Sequence, residues 1–283
     1  MVYKLRIALW RLERCQGGLA APGLVVMGEP KKSLGQHWLH DADSLEAMCD
    51  ASHVQPGDTV LEVGPGLGTL TEVLLARGAS VTALEFDQDL IPSLQAKLPD
   101  ATVVQGDIRT YNLADLPDPY KLVANIPYYL TANLMRILTD ENTHKPAEAS
   151  LLMQKEVAER IAAAPGQMAF ITVAAQFYYE VSLGQEVPAE LFTPPPQVDS
   201  QILVLKLRTE PLFDDVEPKE FFRVVKAGFS QRRKTLLNSL SGGLQLDKAT
   251  VKTICESVGI DPSRRAQTLT IQEWYNLYLS ASV

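Results

Sequence analysis

No stretch of this 283-residue sequence approaches the roughly 20 consecutive apolar residues that a membrane-spanning helix needs; the longest runs, such as LVANI and FITVAA, are far shorter. A transmembrane segment is not expected, and with it no membrane partner. Cysteine is scarce: Cys15, Cys49 and Cys255 are scattered, with no CxxC spacing and no histidines clustered near them. This argues against a disulfide framework and against a structural zinc site, so no metal is expected and the compartment should be reducing, hence cytoplasmic. A surplus of basic residues is missing too. With 26 Lys and Arg against 34 Asp and Glu the net charge is −8, which does not advertise a nucleic-acid binder. Internal repeats and low-complexity segments are absent.

What is present describes an ordinary globular chain, 46% hydrophobic and 21% charged, long enough for one large domain and a small one. The first 27 residues are basic, with one Glu and no Asp. They share the acid-poor character of transit peptides but lack the serines, and they lack a clean signal-peptide core. A disordered extension over residues 1–30 is expected, with Met27 as a candidate working start.

From residue 58 short β-branched runs alternate with helical stretches: DTVLEVG, LGTLTEVLLARG, SVTALE, FDQDLIPSLQAKL and ATVVQGD, then KLVANI, TANLMRILT, EASLLMQ and VAERIAA. The alternation predicts a parallel sheet with helices on its faces, an α/β fold. MAFITVAAQFYY reads as a further helix. The runs YEVSLGQEV and SQILVLKL flank the turn FTPPPQVD, and a connection too short for a crossover helix predicts that they pair antiparallel. After Thr209 an acidic, proline-punctuated linker leads into amphipathic segments, FFRVVKAGF, RKTLLNSL, KATVKTICESVG and IQEWYNLYLSA, with Gly228, Gly242-Gly243 and Gly259 placed as helix ends. The division expected is an α/β domain over 31–208 and a helical domain over 209–283.

The strand DTVLEVG runs into Gly64-Pro65-Gly66-Leu67-Gly68 and a helix, a turn where glycine lets the backbone approach a ligand and the helix start offers free N–H groups. A dinucleotide fingerprint would ask for glycine at 69, which is Thr69; the third glycine comes one residue early. Glu85 and Asn125 each end a strand, and Asp107 follows one in QGDI. Alone, each fits a turn or a cap, and ANIPYY (124–129) fits a strand-end turn with Pro fixing the backbone. Together they mark the carboxyl edge of an open α/β sheet, where such sheets bind ligands.

The stretches KKSLGQHWL, EVGPGLG, ALEFD, QGDI, NIPYYL, LFTPPPQVDS, FSQRRKTLLNSL and RRAQTLTIQEW, spanning Lys31 to Leu279, together resemble the ribosomal RNA adenine dimethyltransferase family of KsgA type. The resemblance implies a Rossmann-like class I methyltransferase sheet, mostly parallel with the last strand antiparallel, and a small all-helical C-terminal domain for RNA recognition. It implies S-adenosylmethionine as cofactor, with Gln36, His37 and Leu39 around its methionine end and Gly64, Gly66, Glu85, Asp107 and Asn125 holding the remainder. It implies a monomer acting on small-subunit ribosomal RNA, or an immature small subunit, during ribosome biogenesis. One departure stands out: His37-Trp38 occupies the place of the family's usual Asn-Phe, so the carried-over contact rests more on Gln36 than on His37. GQHWL also fits a helix-entry segment that packs Trp38 and Leu39.

An adenine N6 amine is a poor nucleophile because its lone pair is delocalised into the ring. Acceptors on its two protons favour the pyramidal form, and the Asn125 side-chain oxygen and the Ile126 carbonyl, exposed by the Pro127 turn, supply them. Tyr128 would stack on an unstacked base, with Phe192 on its other face; Phe192 equally fits an aromatic capping the core. Tyr129 is expected only to pack on the following helix. Lys31, Lys32, Arg232, Arg233 and Lys234 are the candidate RNA contacts, provided they share one rim; otherwise they are solvated charges. Three other readings remain: an erythromycin-resistance type methylase of large-subunit RNA, a transcription-factor relative, and a nicotinamide-dependent dehydrogenase.

Overall fold

The structure, a computed structural model, describes residues 30–31 and 34–281. The expected extension with Met27, as well as Cys15 and Lys32, lies outside the described residues. Two compact units divide the chain. One comprises residues up to Ile137, His144–Lys155 and Leu183–Leu205, the other Leu138–Thr143, Glu156–Ser182 and the chain from Lys206 onward.

The first unit opens with β1 (Trp38–Leu39) and α1 (Ala42–Ala51). Asp41 caps α1, its Oδ2 accepting from the Ser44 backbone at 2.9 Å and the Ser44 hydroxyl at 2.6 Å. Then follow β2 (Thr59–Val63), α2 (Thr69–Ala76), β3 (Ser80–Glu85), α3 (Ile91–Lys97), β4 (Thr102–Gln105), β5 (Lys121–Asn125), α4 (Thr131–Leu138) and β6 (Glu148–Gln154). After α5 (Lys155–Ile161) and α6 (Phe170–Tyr178) the chain returns as β7 (Tyr179–Val187), β8 (Phe192–Thr193) and β9 (Ser200–Leu207).

The main sheet has the order β4-β3-β2-β5-β6-β9-β7. Strands β2 to β6 pair in parallel, Val60 opposite both Val81 and Lys121 and Ala83 opposite Val103. The inner strands β2, β3, β5 and β6 are covered on both faces and apolar over most of their length, Val60, Leu61, Leu122, Val123 and Leu151 being fully buried, whereas the edge strand β4 is partly exposed. In the β7 and β9 pair the Arg208 N–H donates to the Tyr178 carbonyl at 3.0 Å, and a Cβ at Gly184 would stand 3.0 Å from that of Ile202. Residue numbers fall on one strand as they rise on the other, which is the antiparallel hairpin expected from its short connection. Not foreseen is a second, two-stranded sheet: β1 pairs antiparallel with β8, Trp38 opposite Thr193 and Leu39 opposite Phe192. The segment read as a helix entry is a strand first.

The second unit holds α6 together with α7 (Pro218–Phe229), α8 (Leu236–Leu244), α9 (Lys248–Ser257) and α10 (Ile271–Ala281). Its core is aromatic, with Phe177 stacked on Phe221 at 5.0 Å and Trp274 fully buried. Aromatic burial explains why α6 belongs here, since Phe177 packs against Phe213, Phe221 and Phe222. Two sequence readings change. Helix α8 starts at Leu236 behind Thr235, so Arg232, Arg233 and Lys234 occupy the preceding turn. Gly228 and Gly243 stand next to last in α7 and α8, at the helix ends as expected, but not as left-handed caps: a Cβ on Gly228 would meet the Trp274 ring at 2.3 Å, and one on Gly243 the Ala227 backbone at 2.6 Å. They are sites of close helix approach. Gly259, at φ +71°, does follow the end of α9 in the left-handed region that glycine favours.

Adjacent glycines in α8 give a controlled comparison. Gly243→Ala should lower the unfolding midpoint, costing about 1–3 kcal/mol by overpacking against backbone. Gly242→Ala, which meets only the flexible end of Gln231 at 3.5 Å, should be neutral or stabilise by up to about 1 kcal/mol through helix propensity. Equal effects in thermal unfolding would contradict the packing assignment.

Candidate active site at the carboxyl edge of the sheet

The parallel register brings the ends of β2, β3, β4 and β5 to one edge, and a pocket opens there within the first unit. Gly64, Gly66, Glu85, Asp107, Asn125, Ile126, Pro127, Tyr128 and Phe192 line it, as do Gln36, His37 and Leu39. These are the sequence candidates, collected at one place. Lining residues the sequence did not single out include Trp38, Thr69, Phe86 and Arg109. Phe86 had a signal in its place directly after the strand-end Glu85, and in the structure it stands half-exposed.

The glycine loop is shaped by what it touches. Gly66 lies at φ +58° and donates its N–H to Glu85 Oε2 at 3.0 Å. Glu85 Oε1 accepts the Asp87 N–H at 2.7 Å, so the carboxylate is held rigidly beneath the loop. Burial pushes its pKa up, against these backbone hydrogen bonds. The early third glycine now has a reason: a Cβ on Gly68 would stand 2.6 Å from Leu98 Cδ1. Thr69, where a dinucleotide fingerprint would want glycine, uses its hydroxyl to bond the Leu39 carbonyl at 2.9 Å and ties the loop to β1.

Residues 34–39 form the opposite wall, and three contacts pin them. The Asn125 amide donates from Nδ2 to the His37 carbonyl at 3.1 Å. His37 Nδ1 lies 2.7 Å from the Pro194 carbonyl, and since a carbonyl only accepts, Nδ1 carries the proton. The His37 and Tyr128 rings stack with centroids 5.8 Å apart. Further out, Gln36 Nε2 donates to Asp87 Oδ2 at 3.1 Å while its Oε1 accepts the Lys31 N–H at 2.8 Å. Lys31 itself is committed to Asp87 at 2.7 Å and Asp89 at 2.6 Å. Its charge latches this wall to the β3 turn, which differs from the phosphate-facing role expected of it. Burial of Asp87 is outweighed by the hydrogen bonds from Lys31, Asp89 and Gln36, and its pKa is lowered.

The hydrogen bond to His37 settles the Asn125 amide, because the end facing a carbonyl must be the NH₂ group. Oδ1 is therefore the end left to accept. Ile126 is buried and donates its N–H to the Leu152 carbonyl at 3.1 Å. The following turn uses the Pro127 and Tyr128 carbonyls, bonded by the N–H groups of Leu130 and Thr131, and not that of Ile126. The Tyr128 hydroxyl pairs with Ser200 at 2.9 Å, and burial raises its pKa, so the ring is a neutral phenol in fixed orientation. Phe192 is only 3% exposed and belongs to the core cluster with Leu39, Val187 and Ile202. It is a core residue that also faces the pocket, which joins the two readings left open for it. Tyr129, expected to pack on α4, instead stands half-exposed in the lining beside Gly35.

Asp107 is held by Arg109 through Nε and Nη2 on both carboxylate oxygens, and this pairing lowers its pKa. Arg232, Arg233 and Lys234 are exposed in the second unit and form no ion pair among the described residues. Arg264 is spent on Glu273 and the Thr268 carbonyl. Among the described residues no group of three or more His, Cys, Asp or Glu is placed to hold a metal, and no helix is long and apolar enough to cross a membrane.

Glu62, one strand position short of the glycine loop, is fully buried in the pocket lining and accepts from Thr71 Oγ1 at 2.6 Å. Burial pushes its carboxyl up to about 8, only partly offset by Thr71. The folded state thus holds a proton that the unfolded chain, with a normal Glu, releases near pH 4.3. Stability from this group is complete below that pH and falls as pH rises toward about 8. Glu62→Gln should flatten the fall in urea midpoint between pH 5 and 8; an unchanged slope would show that Glu62 ionises normally.

Residues 27–280 match the family described as ribosomal RNA adenine dimethylase. A ribosomal RNA small subunit methyltransferase A from Dehalococcoides mccartyi is 41% identical over 255 residues, covering 88% of this chain and 87% of the relative. The protein of that name from Bacillus cytotoxicus is 38% identical over 260 residues, covering 86% and 88%. Among solved structures, the 23S rRNA methyltransferase ErmE aligns with a TM-score of 0.71 at 26% identity, over 87% of this chain and 100% of that one. A dimethyladenosine transferase from Plasmodium falciparum gives the same TM-score at 23% identity, over 87% and 98%, and bears on the fold alone. A match of this length, with such identity to relatives along most of both chains, is kinship rather than a shared fold: the chain belongs to the ribosomal RNA adenine dimethylase family.

Proposed function

We propose that this protein transfers methyl groups from S-adenosylmethionine to the N6 amines of two adjacent adenines near the 3′ end of small-subunit ribosomal RNA, as a monomer in the cytoplasm. The observation that carries the reading is the Asn125 amide, whose Nδ2 is engaged by His37 so that Oδ1 is left to accept. The curated relatives named for the small subunit favour that RNA over the large-subunit target named for ErmE.

The pocket suits the cofactor. At Gly66 the backbone turns through φ +58°, a glycine cradle that admits close approach, and carboxylates stand at spaced positions along one edge. Glu85 would accept ribose hydroxyls, Asp107 the adenine amine, and residues 36–39 would enclose the methionine end. Bound there, the cofactor supplies an electrophilic methyl group on a sulfonium. The chain's own residues prepare the nucleophile. Asn125 Oδ1 and the Ile126 carbonyl accept the two protons of the target amine, which localises its lone pair. Tyr128, locked between Ser200 and His37, offers a ring face on which an unstacked base can lie. No strong base is required, because a methylated aminium is acidic and loses its proton readily. The exposed Arg232, Arg233 and Lys234 turn is the surface suited to phosphates despite the acidic total.

Asn125→Ala should cut methyl transfer by about 10²–10³-fold, the usual cost of losing one preorganised polar contact. Affinity for S-adenosylhomocysteine by calorimetry should fall far less, because His37 keeps its contacts to the Pro194 carbonyl and the Tyr128 ring. Wild-type turnover in this variant would refute the role given to the amide.

A further inference from the structure

Trp38 Nε1 is buried in the pocket lining and has no hydrogen-bond partner among the described residues. A buried donor without an acceptor is costly and uncommon in native proteins. Its edge faces the glycine loop: a Cβ on Gly66 would stand 3.2 Å from Trp38 Cδ1 and 3.3 Å from Nε1. Trp274 Nε1 is likewise unpartnered, but that ring packs against Gly228 in a helical core and lines no such pocket.

The charges around Trp38 say what it should meet. Glu62, Glu85 and Asp107 line the pocket, and Arg109, the one Lys or Arg in its lining among the described residues, is held by Asp107. The loop N–H groups of Gly64, Gly66 and Gly68 already go to the Leu84 carbonyl, Glu85 and the Pro65 carbonyl. An anionic group entering here must therefore lean on neutral donors. We infer that the Trp38 indole N–H donates a hydrogen bond to the carboxylate of the cofactor's methionine moiety, making Trp38 a cofactor-binding residue. This rests on the S-adenosylmethionine reading, in which Glu85 and Asp107 take the ribose and the adenine and the carboxylate is the strong acceptor that remains.

Two ligands separate this inference from the reading beneath it: S-adenosylhomocysteine, and S-adenosyl-3-thiopropylamine, which lacks only the carboxylate. Trp38→Phe removes the donor and keeps an aromatic ring. In calorimetry the variant should bind S-adenosylhomocysteine roughly tenfold or more weakly than wild type, as expected for a hydrogen bond to a charged group, and bind the amine equally well. Equal loss for both ligands would show a packing effect, and no loss would show that the indole touches no acceptor; either overturns the inference. Failure of wild-type protein to bind either ligand would overturn the cofactor reading and this inference with it. In wild-type protein labelled with ¹⁵N-tryptophan, the Trp38 indole resonance should move downfield with S-adenosylhomocysteine and not with the amine. This holds the test open even if the variant folds poorly, and identical shifts with both ligands would count against the carboxylate.

Discussion

One hydrogen bond, from Asn125 Nδ2 to the His37 carbonyl, decides which end of an amide faces the reaction space. A neutral amide contact of this kind adds only about 1 kcal/mol to stability, yet without it the two ends of Asn125 would be interchangeable by rotation. The carbonyl that receives it is itself fixed, because His37 is tied to the Pro194 carbonyl and stacked on Tyr128 while its neighbours Trp38 and Leu39 pair with Thr193 and Phe192. The catalytic turn and the wall across the pocket are therefore one construction. Disturbing the wall should alter chemistry as well as cofactor binding.

The same logic of shared duty runs around the pocket. Glu85 braces the glycine loop through Gly66 and the β3 turn through Asp87, and Asp87 in turn latches Lys31 and Gln36. Groups suited to a ligand are already oriented by backbone donors, which is the preorganisation that makes polar contacts effective in a transition state. Burial supplies the rest: Glu62 and Glu85 are pushed toward the neutral form, while Asp87 and Asp107, each with a cationic partner, are held ionised.

Much of this was legible in the sequence, because strand ends are readable. Alternating β-branched and helical stretches point to the parallel sheet, and Glu85 and Asn125, which end β3 and β5, and Asp107, two residues beyond β4, fall at its carboxyl edge. What was not legible depends on tertiary approach. The pairing of β1 with β8 joins two-residue segments far apart in sequence, too short to carry any periodicity. Gly228 and Gly243 do stand near helix ends, but nothing local shows that Trp274 and the Ala227 backbone fill the space a side chain would need. Lys31 read as a phosphate contact because the aspartates that take its charge lie more than fifty positions downstream.

The central claim is that the Asn125 turn presents acceptors to adenine N6 amines of the small-subunit RNA. The direct measurement is to incubate the protein with methyl-labelled S-adenosylmethionine and undermethylated small ribosomal subunits, then map the modified nucleotides. The account predicts N6,N6-dimethyladenosine at two adjacent positions near the 3′ end. Label confined to large-subunit RNA, to a base other than adenine, or to no RNA at all would contradict it.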